Sequence, residues 1–258
     1  NCRVFICRAL MKINLIDYTN IIWETFSPLP QVASANNICV KHPFYSLDAS
    51  TIDLCLSMFP CADFRTTKDA IKLHVGLNHA GYLPGFVTIT EGKNMHKVSR
   101  LLKFPKGSIV AIDKGYNDYA WYSALTNKGI FFVTRLKSNA KHRIICRRPV
   151  LKEKGLTCVQ TIEFSGFQTA KKCPIQLRLI GYKEPLTGKH YVFLSNNFHL
   201  SAKTIADIYK ARWQVELFFK WIKQNLKIKS FIGTSKNAVM TQIWIALYVY
   251  LLLAFLKF

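Results

Sequence analysis

Acidic residues are scarce: the 258-residue chain carries 14 Asp and Glu against 36 Lys and Arg, a formal charge of +22. That imbalance argues against a typical cytosolic metabolic enzyme. It points to a polyanionic partner, whether nucleic acid, an anionic membrane surface or an acidic protein. The basic residues are scattered through folded-looking sequence and not gathered in a tail, so a broad basic surface is expected. Also lacking is any C-x-x-C pair among the eight cysteines, at 2, 7, 39, 55, 61, 146, 158 and 173. Without a compact Cys/His cluster or a secretory signal, zinc binding is disfavoured and reduced, mostly buried thiols are expected. No internal repeat or low-complexity tract occurs. No His–Asp arrangement accompanies Ser50, which removes acyl-transfer chemistry of the triad kind.

What the chain does have is apolar content, 50% of its residues, enough for one large core or a core with a small satellite. Residues 1–42 mix aromatic and polar runs around a Ser-Pro-Leu-Pro break and read as a truncated or poorly defined lead-in. From there the pattern is regular. Strands are expected at Phe44–Ser50, Ala70–Leu77 and Gly85–Thr90, a helix at Asn94–Phe104, and a buried strand at Ser108–Ile112. A helix at Tyr119–Asn127, stopped by Gly129, and a strand at Ile130–Arg135 follow. That order implies a mixed-sheet α/β fold. The division expected is 43–136 for the first part of the main domain, 137–190 for a basic β-rich insertion or satellite, and 191–258 for the return to the main domain. Within the insertion, Thr157–Phe164 and Ile175–Tyr182 read as strands, and Tyr191–Ser195 as the returning strand. The apolar stretch Ala238–Leu256 is long enough to span a membrane. A buried C-terminal core helix explains it equally well.

Ser201–Leu226 reads as one uninterrupted helix with Ser201 as its N-cap. At about 100° per residue, Tyr209, Arg212, Glu216 and Lys223 fall within roughly a 60° arc, with Lys220 beside them. The other faces, including Trp213, Leu217 and Phe218, read as buried. One carboxylate therefore sits in a cationic stripe. A solvated face with incidental ion pairs accounts for such a stripe as well as a binding site does.

Two further acids stand out by position. Asp48 is expected to close the first strand and Asp113 the buried Ser108–Ile112 strand, and strand ends of α/β sheets face the ligand crevice. Each alone is more simply a turn or helix cap. Together with Glu216 they would repel one another unless cations lay between them, and hard divalent ions take such oxygen ligands. Asp53, His74 and His96 lie near the expected crevice with capping or packing roles favoured. Trp121 and Trp213 are read as core residues over base-stacking platforms.

The spacing Y-x2-R-x3-E-x6-K, here Tyr209, Arg212, Glu216 and Lys223, resembles the YREK signature of bacterial insertion-sequence DDE transposases of insertion sequence family four. "LDASTIDLCLS" resembles the segment holding that family's first Asp, and "AIDKGYNDY" the segment holding its second. The resemblance implies an RNase H-like mixed sheet flanked by helices, with a β-rich insertion between the second and third acids. The gap of 216 − 113 = 103 residues holds it. It implies Asp48, Asp113 and Glu216 as catalytic ligands of two Mg²⁺ or Mn²⁺ ions, and Tyr209, Arg212, Lys223 and Lys220 as DNA contacts. It also implies double-stranded DNA partners (transposon ends and target), a homodimer on DNA, a cytoplasmic, nucleoid-associated location and no membrane. Ala49 departs from the hydroxyl residue usual after the first Asp, and the family's N-terminal DNA-binding region is not recognisable. The expected function is metal-dependent strand cleavage and transfer at element ends. The alternatives are a truncated relic that binds DNA without cutting it and a basic membrane-associated protein.

Overall fold

The computed structural model describes residues 42–53, 70–91, 98, 101–150, 154–225 and 235–256. The strands are β1 (Phe44–Asp53), β2 (Ala70–Asn78), β3 (Leu83–Glu91), β4 (Ile109–Ile112), β5 (Phe131–Arg135), β6 (His142–Arg148), β7 (Leu156–Phe164), β8 (Leu177–Lys183) and β9 (His190–Ser195). The helices are α1 (Tyr119–Asn127), α2 (Phe167–Lys172), α3 (Ala202–Ala211), α4 (Trp213–Asn225) and α5 (Lys236–Leu256). Among the described residues the strands form one mixed sheet in the order β3-β2-β1-β4-β5-β9-β8-β7-β6. Only β1–β4 and β4–β5 pair in parallel. The strands of 137–190 thus extend the main sheet beyond β5 rather than forming a separate satellite.

The continuous apolar run of β4 follows from burial on both faces. Val110 and Ile112 pack into a core shared with Trp121, Tyr122 and Leu125 of α1. Ile109 and Ala111 face the other way, into a core shared with Ile205 and Ile208 of α3. By the same alternation Asp113 follows the α3 side. On β1, Leu47 belongs to the α1 core, which turns Asp48 toward the α3 side as well. A third core joins Leu73 and Val75 of β2 to Val215 and Phe218 of α4 and to Val239 and Ile243 of α5.

Side chains cap the starts of α1 and α3, the latter by Ser201 as expected. Asp118 accepts from Ala120 N at 3.0 Å, and Ser201 Oγ accepts from Thr204 N at 3.0 Å. Gly129 takes φ +67° just beyond α1, a left-handed conformation in which any Cβ would be strained. The chain between β9 and α3 is held in place by side chains. Asn196 Oδ1 accepts from Phe132 N at 2.8 Å, and the buried Arg178 of β8 donates to Leu200 O at 2.5 Å. These contacts fix where α3 begins.

α5 is long and apolar enough to cross a membrane by length and composition, with mean hydropathy 1.6 over Asn237–Ala254. One side of it packs on β2 and α4, while Ile245, Tyr248 and Leu253 are exposed. The expected lead-in 1–42 lies outside the described residues apart from position 42. His96 and most of the expected helix Asn94–Phe104 also lie outside them.

Two buried imidazoles give the fold a dependence on pH. His74 hydrogen-bonds to Tyr116 Oη and, at 2.8 Å, to Thr90 Oγ1. His79 sits 2.6 Å from Ser46 Oγ and stacks on Phe44. Burial lowers both to about 4, with Lys72 adding to the effect at His74. Each ring binds its proton more weakly folded than unfolded. Its contribution to stability is therefore complete above about pH 6.5 and is lost as pH falls toward 4, by up to roughly 3 kcal/mol per residue. Asp48 acts in the opposite sense over about pH 6 to 4, so the His effect is read as a difference between proteins. In urea melts at pH 7 and pH 4.5, His79→Gln should lose less stability on acidification than the parent. Equal losses would refute a buried neutral ring at 79.

Candidate active site

The pairing of β1 with β4 sets the site. The last parallel pair is Leu47 with Ile112. Asp48 and Asp113 each follow that pair by one residue, and Asp113 N donates to Leu47 O at 3.1 Å. The two acids are therefore neighbours on the face covered by α3 and α4. Asp48 does not close its strand, as the sequence suggested. β1 continues to Asp53, paired only with β2, because β4 ends beside it. Asp113 caps the 3₁₀ turn Lys114–Tyr116, accepting from Gly115 N at 2.8 Å. Beneath that turn, the buried Tyr116 bonds to His74.

The expected single helix 201–226 is two helices. At Arg212 the pattern tightens: Arg212 N donates to Tyr209 O at 3.2 Å and Val215 N to Arg212 O at 3.0 Å. No Gly or Pro marks the break. It leaves Trp213 58% exposed where the helical periodicity predicted a buried residue, and Leu217 is exposed too. Trp121 is buried as expected.

Arg212 lies at the centre of the acids. Its Nη1 is ion-paired with Asp48 Oδ2 and stands 3.8 Å from Asp113 Oδ1, while its Nη2 donates to Glu216 Oε1 at 2.7 Å. The Arg212 side chain is only 11% exposed and its buried Nε has no hydrogen-bond partner. The Tyr209 ring lies under the guanidinium, with Cζ 5.4 Å from the ring centroid. Tyr209 itself is buried against Phe193. Burial pushes the Tyr209 hydroxyl up to about 12, with Arg212 opposing the shift. Burial also raises Asp48 to about 6, again against the pull of Arg212. At Arg212 burial disfavours the charge, but the surrounding anions, Asp48 first, outweigh it and hold the group protonated. Lys223 Nζ donates to Thr51 O at 2.7 Å, which ties the end of α4 to β1. Lys220 is exposed.

The stripe is thus not a solvated face: Tyr209 and Arg212 are buried in it. Asp53 ends β1, and Ser50 is paired with Leu73. Periodicity gave no sign of the supporting residues Tyr116, Thr90, Arg178 and Asn196. Each is recognisable only once the strands are placed side by side.

The acids form an oxygen-only donor set of the kind hard divalent cations take. They converge from β1, the end of β4 and α4 on one positive charge. A cation-binding role therefore fits the residues present. As they stand, spread around the guanidinium, no three His, Cys, Asp or Glu among the described residues are close enough to share one ion.

The family model described as "Transposase DDE domain" matches residues 41–252. "Putative transposase y4zB" of Sinorhizobium fredii is 36% identical over 71% of this chain and 52% of its own length. "Probable transposase for insertion sequence element IS5377" of Geobacillus stearothermophilus is 30% identical over 83% of this chain and 56% of its own. Among solved structures, the piggyBac transposase synaptic complex with hairpin DNA overlaps at a TM-score of 0.48. It shares 12% identity over 79% of this chain and 45% of that one. The chain spans about half the length of the curated relatives it matches. On the family match, which runs through nearly the whole described sheet and its helices, the chain belongs to the transposase DDE domain family.

Proposed function

We propose that the chain is the catalytic part of an insertion-sequence transposase that cuts DNA at its element's ends and joins those ends to a target. The observation that carries this reading is the convergence of Asp48, Asp113 and Glu216 on one point, within a chain of this family. On this reading the fold is RNase H-like, β6–β8 with their connections are an insertion between the second and third acids, and the chain is of insertion sequence family four, a reading that the YREK spacing supports. Asp48, Asp113 and Glu216 would hold two Mg²⁺ or Mn²⁺ ions. Bound there, such ions activate an attacking oxygen and stabilise the departing one in an in-line phosphoryl displacement.

The chain's own residues orient the substrate. Lys220, exposed on α4, and Lys223 beside β1 lie on the helix that carries Glu216 and would hold the phosphates of the scissile strand. Arg212 offers a planar fork that fits a phosphate bidentately. Tyr209 acts through Arg212, its ring supporting the guanidinium from below. We read the working form as a homodimer on duplex DNA, at the nucleoid.

The test is incubation of the protein with duplex DNA carrying element ends, with and without Mg²⁺. Strand cleavage that needs the ion supports the reading; binding without cleavage under all divalent ions would favour a non-cutting relic. The same duplex gives a salt prediction. A protein neutralising 6–10 phosphates loses about 10³–10⁵ in affinity between 50 and 200 mM salt, and this chain's charge should place it in that range. A dissociation constant unchanged across that interval would count against DNA as the partner.

A further inference from the structure

One side chain in the site does two incompatible things. Arg212 is assigned above to phosphate, yet its guanidinium is buried and engaged by Asp48, Asp113 and Glu216 together. We infer that Arg212 is the resident counter-cation of the metal-free site and that divalent ions enter by displacing it, which frees its fork to take a DNA phosphate. This inference rests on the metal-site reading given above.

The geometry supports an exchange rather than coexistence. The Nη atoms touch or approach an oxygen of each acid, the side of the carboxylates on which ligand oxygens would have to meet an ion. The planar group also acts as a spacer: with it between them, no three acids of the described residues stand at ion-binding separation. Withdrawal would let the carboxylates close on a smaller, doubly charged ion. The hold on Arg212 is itself incomplete, since its buried Nε has no partner. The ring of Tyr209 offers a surface over which the guanidinium can turn without losing all its support.

The exchange gives an order of events. Before the ion arrives, the arginine neutralises part of the acidic cluster and is withheld from DNA. Once the ion is in place, the same arginine becomes a phosphate ligand next to it. Metal loading and phosphate capture would then reinforce each other, because each favours the outward position of one side chain.

The experiment measures Mn²⁺ binding to the full chain without DNA, by electron paramagnetic resonance of free Mn²⁺. The proteins are wild type, Arg212→Gln, Arg212→Lys and Asp113→Asn. Arg212→Gln should bind Mn²⁺ more tightly than wild type by roughly 5- to 150-fold, the usual span of a coupling between two ligands. Its melting temperature should also rise with Mn²⁺ far more than that of wild type. If Arg212→Gln does not fold without metal, refolding rescued by Mn²⁺ is the equivalent positive result. If it does not fold even then, Arg212→Lys decides, since one ammonium cannot reach all three acids and should also tighten Mn²⁺ binding. Equal or weaker Mn²⁺ binding by the Arg212 variants, with wild-type binding abolished by Asp113→Asn, would overturn the exchange and leave the metal-site reading standing. Absence of Mn²⁺ binding in every protein would overturn both.

Discussion

Asp113→Asn should abolish divalent-dependent cleavage of end-bearing DNA, lowering the rate by about 10³-fold or more, equivalent to ~4 kcal/mol of barrier. The substitution is chosen because it preserves the fold. Asp113 caps its turn by accepting from Gly115 N at 2.8 Å, and an amide oxygen can accept that bond equally well. What changes is the charge, one of three that converge between β1, β4 and α4. Loss of one ligand charge leaves binding to phosphates in place, because the basic side chains around the site are untouched. Glu216→Gln should behave alike. The measurement is initial cleavage rate in Mg²⁺, with thermal melting and DNA affinity followed in parallel. Parental cleavage by Asp113→Asn, with the fold intact, would remove Asp113 from the chemistry.

Arg212→Ala should destabilise the metal-free protein by about 3–5 kcal/mol, the cost typical of removing one partner from a buried ion pair. Three carboxylates would be left facing one another, one on β1 and one just past the end of the adjacent β4. Lys210, two residues earlier, provides the control. It is largely exposed and pairs with Glu184 at 3.4 Å, so Lys210→Ala should cost no more than about 1 kcal/mol. Urea unfolding in chelator measures both. A loss below about 1 kcal/mol for Arg212→Ala would mean that the three contacts contribute nothing beyond a surface ion pair. The two predictions are separable, since one concerns a rate with the fold retained and the other concerns the fold with no DNA present.

Much of the site was legible because strand chemistry is local. The run Ile109–Ile112 is apolar at every position, which only burial on both faces explains, and an Asp directly after such a run draws notice. Tyr119–Asn127 announces itself by its stop at Gly129. β6 did not, because an edge strand exposed along nearly its whole length has no alternation to show; HRIICRR reads as a basic connection. The break at Arg212 was equally hidden. It comes from a tightened turn without Gly or Pro, and its consequences, a buried Tyr209 and an exposed Trp213, run against simple periodicity. Asp48 was found through a resemblance and by its turn-like surroundings, but its place in mid-strand depends on where β4 stops. The bridge from Arg212 to all three acids is a property of docking α3 and α4 onto the sheet, which no window of sequence contains.

Asp48 and the arginine that binds it are 164 positions apart. During synthesis β1 emerges first, and the helices that bring Arg212 and Glu216 emerge only after every strand of the sheet has been made. A nascent chain interrupted anywhere before α4 has its two aspartates but not the third acid. Such a fragment can collapse and pair strands, but it lacks both the arginine and the third acid of the cluster. The cluster is therefore a late product of the chain, assembled only when α3 and α4 dock on a sheet whose strands have already been made.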